Sequence, residues 1–273
     1  MNLLVTIDAN YIHPLRVMLC SLLCNNPEEH FSVYLAHRAM TDSQLSSITA
    51  GLDPNRLALY PIQVSDEELI GAPVEKRYPR EMYYRLFAAR YLPEHLDRIL
   101  YLDPDLVVLG RVRPLYEIEL GNCWFAAASH VHRVVQRLNE LRLEIPSGGA
   151  YVNSGVLLMD LTALRDGQHI EQILDYIREN HYRMILPDQD VLNALYHDRI
   201  LPLNPLIYNL SEGYLLRQNL DHRSDSIDLD WVQKNAVFVH YCGRNKPWKE
   251  GYVGVLDRFY HIYADQLDAG TVG

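Results

Sequence analysis

Two periods alternate along this chain, one of strands and one of helices. Residues 3–7 (LLVTI) form an apolar run closed by Asp8, the pattern of a strand. Leu15, Met18, Leu19 and Leu22 then recur at helical spacing, with Pro14 where a first helical turn tolerates it. Residues 31–35 read as a second strand. Thr41 followed by Gln44 is a capping-box signature, and Leu45, Ile48 and Leu52 continue that helix. Residues 57–64 are a third strand candidate, weakened by Pro61, which removes a ladder donor. Residues 80–91 are helical by pattern and stop before Pro93. Residues 98–102 (RILYL) form a short strand that runs into Asp103-Pro104-Asp105, and 106–109 are extended again. Further strands are expected at 124–129, 152–160 and 237–239, the last ending at His240. Amphipathic spacing predicts a helix over 170–180, and Asp188 caps another through Tyr196.

This βαβ alternation contains no Gly/Ser-rich linker, repeat or low-complexity tract. Short strands with acidic residues at their carboxyl ends imply an open, mostly parallel α/β sheet flanked by helices, which binds ligands beyond those ends. The expected organisation is one domain over residues 1–260 and a short C-terminal tail, 261–273. Composition is ordinary for a globular protein, 48% hydrophobic and 22% charged. No run reaches the ~18 apolar residues of a membrane helix. The first apolar stretch lacks a preceding cation and is interrupted by Asp8, Asn10 and His13, unlike a secretory signal. A cytoplasmic location is therefore expected. The net charge of −10 offers no footprint for nucleic acid. Of the four cysteines, Cys20 and Cys24 share helical spacing, but no metal-type or redox-type pair is present, so reduced thiols are expected.

Chemistry concentrates in five places. Asp103 and Asp105, one residue apart beyond a buried strand, can turn two carboxylates toward one hard cation. Their flanks, RILYL and LVVLG, are apolar enough that unpaired carboxylates there need compensation. His240 ends a late strand and offers a nitrogen to the same ion, a mixed set that tilts the choice from Mg²⁺ toward Mn²⁺. Beyond it, Gly243 lets backbone approach a phosphate, and Arg244, Lys246 and Lys249 supply the positive charge an anionic substrate needs. Asp188, Gln189 and Asp190 open a helix and can meet sugar hydroxyls. Asn153-Ser154-Gly155 interrupts an apolar strand, a sign that a ligand or another backbone comes close. Asp8-Ala9-Asn10-Tyr11 follows the first strand, the usual place for a nucleotide, without the glycine patterns of dehydrogenases or P-loop NTPases.

In order, TIDANY, YYRL, YLDPDLVV, VNSGVLLMDL, PDQDVLNAL and HYCGRNKPW resemble the motif series of family 8 glycosyltransferases. These are retaining enzymes of the GT-A fold, among them bacterial lipopolysaccharide galactosyl- and glucosyltransferases and glycogenin. The resemblance implies a Mn²⁺-dependent hexosyltransferase using UDP-glucose or UDP-galactose, with a carbohydrate or glycolipid acceptor. It implies Asp103, Asp105 and His240 as ligands of the ion. It places Asp8, Ala9, Asn10 and Tyr11 at the uridine and ribose, and Pro104 between the two metal carboxylates. Gly243 and Lys246 would hold the diphosphate, and Arg85, Asn153, Ser154, Asp188 and Gln189 the donor sugar. Where galactosyltransferase relatives tend to carry an acceptor-binding Asp, this chain has His130, and the match is poor around Arg77 and Tyr78. The basic, aromatic tail on which the lipopolysaccharide enzymes touch membrane has no counterpart in DAGTVG, so membrane contact is expected to be peripheral at most.

Retention of configuration requires either a covalent sugar intermediate or attack by the acceptor from the face the diphosphate leaves. The catalytic candidates are Gln189, Asp188 and Asp190. Gln189 is a poor nucleophile, because an amide oxygen cannot hold a full negative charge; Asp190 is the better one if it faces the sugar. Two other readings compete, a sugar-nucleotide nucleotidyltransferase and a non-catalytic nucleotide-sugar-binding protein. The first usually has a Gly-rich basic loop after its first strand, and the second has no need of an intact Asp103, Asp105 and His240 set.

Overall fold

The computed structural model describes residues 1–64, 80–130, 133–146, 151–222 and 226–270. Arg77 and Tyr78 lie outside the described residues. Nine strands are present among those described: β1 (Asn2–Thr6), β2 (Phe31–His37), β3 (Leu57–Gln63), β4 (Arg98–Leu102), β5 (Leu106–Val108), β6 (Phe125–Ala128), β7 (Val156–Asp160), β8 (Ile200–Leu203) and β9 (Phe238–His240). Seven form one sheet in the order β3-β2-β1-β4-β7-β6-β8, and β5 pairs with β9 in a second, two-stranded sheet that the strand pattern alone did not separate. The main sheet is parallel except where β7 runs against β4 and β6.

Alternation along the strands sorts side chains to opposite faces, and both faces are covered. Leu3, Val5, Leu100, Leu102, Val156 and Leu158 enter one core. Leu4, Ile99, Tyr101, Leu157 and Met159 enter the other. Helix α1 (Ile12–Asn25) packs against α2 (Asp42–Thr49), β5 and the last helix, Asp257–Asp268. It is buried on nearly every side, which is why Val17, Cys20 and Leu23 are inside along with the expected Leu15, Met18, Leu19 and Leu22. The capping box forms as read: Thr41 Oγ1 accepts from Gln44 N, and Gln44 Oε1 from Thr41 N at 2.9 Å. Pro61 is accommodated because β3 is an edge strand. The boundary at residue 260 falls inside the last helix, and its Ala264 and Leu267 join the first core. All four cysteines are free. No helix among the described residues is long and apolar enough to cross a membrane.

Three expected elements differ. Residues Arg80–Phe87 wind as a 3₁₀ helix, with only Ala88–Tyr91 α-helical. The stretch is tied inward by Arg85, whose side chain reaches Tyr101 of β4, Asp103 and Ser154. The strand expected from 152 begins only at Val156, because side chains take the backbone groups of Val152 and the N–H of Gly155 and interrupt the ladder. Asn193 takes both Val152 N (2.7 Å) and Val152 O (2.8 Å), and Asn153 Oδ1 takes Gly155 N. The helix Pro187–Tyr196 starts with proline at its first position, and Asp188 makes no cap.

Candidate active site

The chain leaves β1 toward β2 on one side and returns through β4 on the other, so the carboxyl ends of β1 and β4 form the switch point where such sheets bind ligands. Asp8 and Asp103 stand at those two ends. A cavity of about 220 Å³ opens there, and Asp8, Tyr11, Arg85, Asp103, Pro104 and Asp105 all line it. Asp8 Oδ1 accepts from Asn10 N at 2.8 Å and so caps the short turn that presents Tyr11. Ala9 and Asn10 themselves face solvent. Tyr11 meets the edge of the Trp248 ring at 6.0 Å, so it both packs and faces the cavity.

His240 is brought in by the small sheet. It pairs with Leu106 in the β5–β9 register, one residue after Asp105. His240 Nε2 lies 3.2 Å from Asp105 Oδ1 and 3.7 Å from Asp103 Oδ2. One atom from each of the three residues falls within 4.8 Å of the others. Two carboxylate oxygens and an imidazole nitrogen at this spacing fit a hard divalent ion. The outer nitrogen, Nδ1, sits 2.8 Å from Asn209 Oδ1, the kind of support that aims a ligating histidine.

Each carboxylate is held by cations and hydroxyls. Tyr101 donates to Asp103 Oδ1 at 2.6 Å, and Arg85 Nη2 approaches the same oxygen at 2.9 Å. Burial would raise the Asp105 carboxyl, but His240 and Lys246 outweigh it and hold the group well below the usual carboxylate range. Lys246 is itself buried and donates to Asp105 and to Tyr241 O at 2.7 Å. Gly243 turns the chain between them with φ +76°, a left-handed conformation that favours glycine.

Arg85, expected among the donor-sugar residues, is no surface residue. It is 8% exposed, stacks 4.4 Å over Tyr101 and joins Asp103 to Asp188 Oδ2 at 3.2 Å and Ser154 O at 2.9 Å. Burial pushes the Asp188 carboxyl up, opposed by Arg85. Ser154 Oγ donates to Asp188 at 2.9 Å, and Asn153 Nδ2 donates to Gln189 Oε1 at 3.1 Å.

Asp190 stands apart. It is wholly buried and accepts from Arg142 Nη1 and Nη2 (2.8 Å each), Tyr151 OH (2.6 Å) and the backbone of Ile185 (2.7 Å) and Leu186 (3.1 Å). Both oxygens are committed, so the expectation that it meets the sugar as a nucleophile is corrected: Asp190 is the anion of a structural ion pair. His130 lies beside the site, its Nδ1 4.0 Å from Cys242 Sγ and its Nε2 against Asn209 O.

Gly155 explains the small residues inside the seventh strand's approach. A Cβ at this position would lie 2.2 Å from His240 Cε1 and 2.6 Å from Asp103 Oδ2. Gly155→Ala is therefore expected to push His240 and Asp103 apart and to weaken divalent-ion binding at this group, measured by calorimetry with Mn²⁺ as the probe, by about 10- to 100-fold, since overpacking costs roughly 1–3 kcal/mol. Unchanged affinity would mean that the ion is held elsewhere. Tyr101, Asn209, Arg142 and Tyr151 were not found from the sequence. Tyr101 was findable, because it opens the YLDPDLVV motif and precedes Asp103 by two; Tyr151 heads the YVNSGVLLMDL stretch, and Asn209 and Arg142 belong to no motif.

Comparison with known proteins agrees with this geometry. The sequence profile described as glycosyl transferase family 8 matches residues 2–251. Lipopolysaccharide 1,2-glucosyltransferase of Escherichia coli strain K12 is 29% identical over 268 residues, spanning 96% of this chain and 77% of that protein. Lipopolysaccharide 1,3-galactosyltransferase of Salmonella typhimurium is 24% identical, spanning 90% of this chain and 72% of that protein. Among solved structures, the galactosyltransferase LgtC in complex with donor and acceptor sugar analogs aligns with a TM-score of 0.79 at 22% identity, over 97% of this chain and 96% of that one. That likeness establishes the GT-A fold. From the profile match over nearly its whole length, this chain belongs to glycosyl transferase family 8.

Proposed function

We propose that the chain transfers a hexose, glucose or galactose, from its UDP conjugate to a hydroxyl of a carbohydrate or glycolipid acceptor, with retention and with Mn²⁺ as cofactor. The observation that carries this reading is the meeting of Asp103, Asp105 and His240 at the rim of the cavity lined by Asp8, Tyr11 and Arg85. The relatives from E. coli and Salmonella are named for lipopolysaccharide, which favours an acceptor of that type, met at the inner face of a membrane by peripheral contact. Membership of the family sets aside the nucleotidyltransferase reading, and the complete ligand trio argues against a non-catalytic binding protein.

Asp103, Asp105 and His240 hold the ion in this scheme, and when bound it supplies Lewis-acid stabilisation of charge on the departing diphosphate. Asp8 and Tyr11 border the nucleoside. Lys246 adds a positive charge beside the phosphates, where one unit-charge pair at 4 Å is worth about 4 kcal/mol at an effective dielectric near 20. Arg85, Asn153, Asp188 and Gln189 present donors and acceptors to the sugar. With Asp190 committed to Arg142, and Gln189 an amide, attack from the face of the leaving group is favoured over a covalent intermediate. A second cavity of about 550 Å³ is lined by His240, Cys242, Glu212 and Tyr252, and we assign the acceptor to it.

UDP release from UDP-glucose and from UDP-galactose, with Mn²⁺ and with EDTA, tests the proposal. Release from one donor, abolished by EDTA, is the expected result and names the sugar. No release from either, with no calorimetric binding of UDP in Mn²⁺, would overturn it.

A further inference from the structure

We propose that Asn209 is a positioning residue that locks the ion-facing nitrogen of His240 and the side-chain amide of Gln189 to each other. The proposal rests on Asp103, Asp105 and His240 being the ligands of the ion.

Asn209 is fully buried, and the next residue pins the chain beside β9: Leu210 N bonds to Phe238 O at 3.0 Å and His240 N to Leu210 O at 2.7 Å. Its side chain makes one bond in each direction. Oδ1 faces His240 Nδ1 at 2.8 Å, and Nδ2 faces Asn153 Oδ1 at 2.9 Å. The polarity of this run is fixed by a group that cannot turn over. Gly155 N–H, a backbone donor, points at Asn153 Oδ1 at 3.0 Å, so that atom is an acceptor and must be oxygen. The atom of Asn209 that meets it is then nitrogen, and the atom of Asn209 that meets His240 is oxygen. His240 must therefore donate from Nδ1, which leaves the Nε2 lone pair directed at the two carboxylates when the ring is neutral.

The same logic runs outward. With Asn153 Oδ1 occupied, its Nδ2 donates to Gln189 Oε1 at 3.1 Å, which fixes which end of the Gln189 amide faces Asn153. Separately, Tyr151 OH donates to the Asp190 carboxylate at 2.6 Å. Every bond from His240 to Gln189 thus donates in one direction, and Asn209 is the junction. The carboxamide supplies at once the acceptor that His240 needs and the donor that Asn153 needs.

Three variants separate the two halves of the role. Asn209→Ala removes both bonds, Asn209→Asp keeps the acceptor for His240 but loses the donor to Asn153, and Asn153→Ala keeps the His240–Asn209 bond. The measurement is Mn²⁺ affinity by calorimetry with saturating UDP, alongside UDP release from the preferred donor and the melting temperature of each metal-free protein. Removing support for a ligating histidine typically costs 10- to 100-fold in affinity, so Asn209→Ala should bind Mn²⁺ about 10- to 100-fold more weakly. Asn209→Asp and Asn153→Ala should stay within about threefold of the wild-type affinity yet lose at least about tenfold in UDP release. Should Asn209→Ala fail to fold, the other two carry the test. Wild-type Mn²⁺ affinity in Asn209→Ala, or a loss in Asn209→Asp as large as in Asn209→Ala, overturns the proposal. Absence of Mn²⁺ binding by the wild-type protein overturns the ion site itself, and with it this role.

Discussion

Asp103→Asn and Asp105→Asn will each weaken Mn²⁺ binding in the presence of UDP by about 1,000-fold and bring UDP release down to its level in EDTA. Each change removes a unit charge that faces the ion. One such pair at 4 Å is worth about 4 kcal/mol at an effective dielectric near 20, and each 1.4 kcal/mol is a factor of ten. The two variants should differ in stability. In Asp103→Asn, Arg85 keeps Asp188 as its partner. In Asp105→Asn, the buried Lys246 loses its only carboxylate among the described residues. A melting temperature near wild type is therefore expected for the first and a clear drop for the second. Because the folded state holds the Asp105 carboxyl below its unfolded value, its contribution to stability is present at neutral pH and is lost as pH falls through and below the usual carboxylate range. Calorimetry and thermal unfolding check both halves. Mn²⁺ affinity within tenfold of wild type in either variant would place the ion elsewhere.

The fold was legible wherever burial writes a period into the chain. β4, with every residue but Arg98 buried, was read with its own boundaries, and so was the helix Ile170–Asn180 with its single apolar face. The meeting of Asp103, Asp105 and His240 was legible for a different reason: each stands beside or ends an apolar strand, where an uncompensated polar group is conspicuous. What escaped was set by tertiary contacts. Residues Arg80–Phe87 carry a helical pattern, but their winding is shared with the reach of Arg85 to Asp103 and Asp188. Residues 152–155 carry a strand pattern, but the backbone N–H and C=O of Val152 go to the Asn193 side chain instead of a neighbouring strand. Asn209 precedes an ordinary helix cap and matters only because β9 lies beside it. Asp190 was misplaced by adjacency: successive helical residues turn by about 100°, so Asp188, Gln189 and Asp190 cannot all face one ligand.

Asp190→Ala will lower the melting temperature by roughly 10 °C. The change leaves the Arg142 guanidinium, the Tyr151 hydroxyl and the backbone N–H groups of Ile185 and Leu186 without the acceptor they share. Breaking a buried pair by removing one partner costs about 3–5 kcal/mol, and each kcal/mol shifts the midpoint of a domain this size by about 2–4 °C. Arg142→Ala should cost less, because Asp190 keeps Tyr151 and both backbone donors, and because the Arg142 side chain is 19% exposed where Asp190 is wholly enclosed. A carboxylate reserved for chemistry would show the opposite pattern. It would be free to be replaced without loss of stability, and its removal would be felt in turnover alone. Thermal unfolding of the metal-free variants, set beside UDP release per folded molecule, separates the two. A normal melting temperature for Asp190→Ala with UDP release abolished would return Asp190 to the reaction and reopen the covalent route.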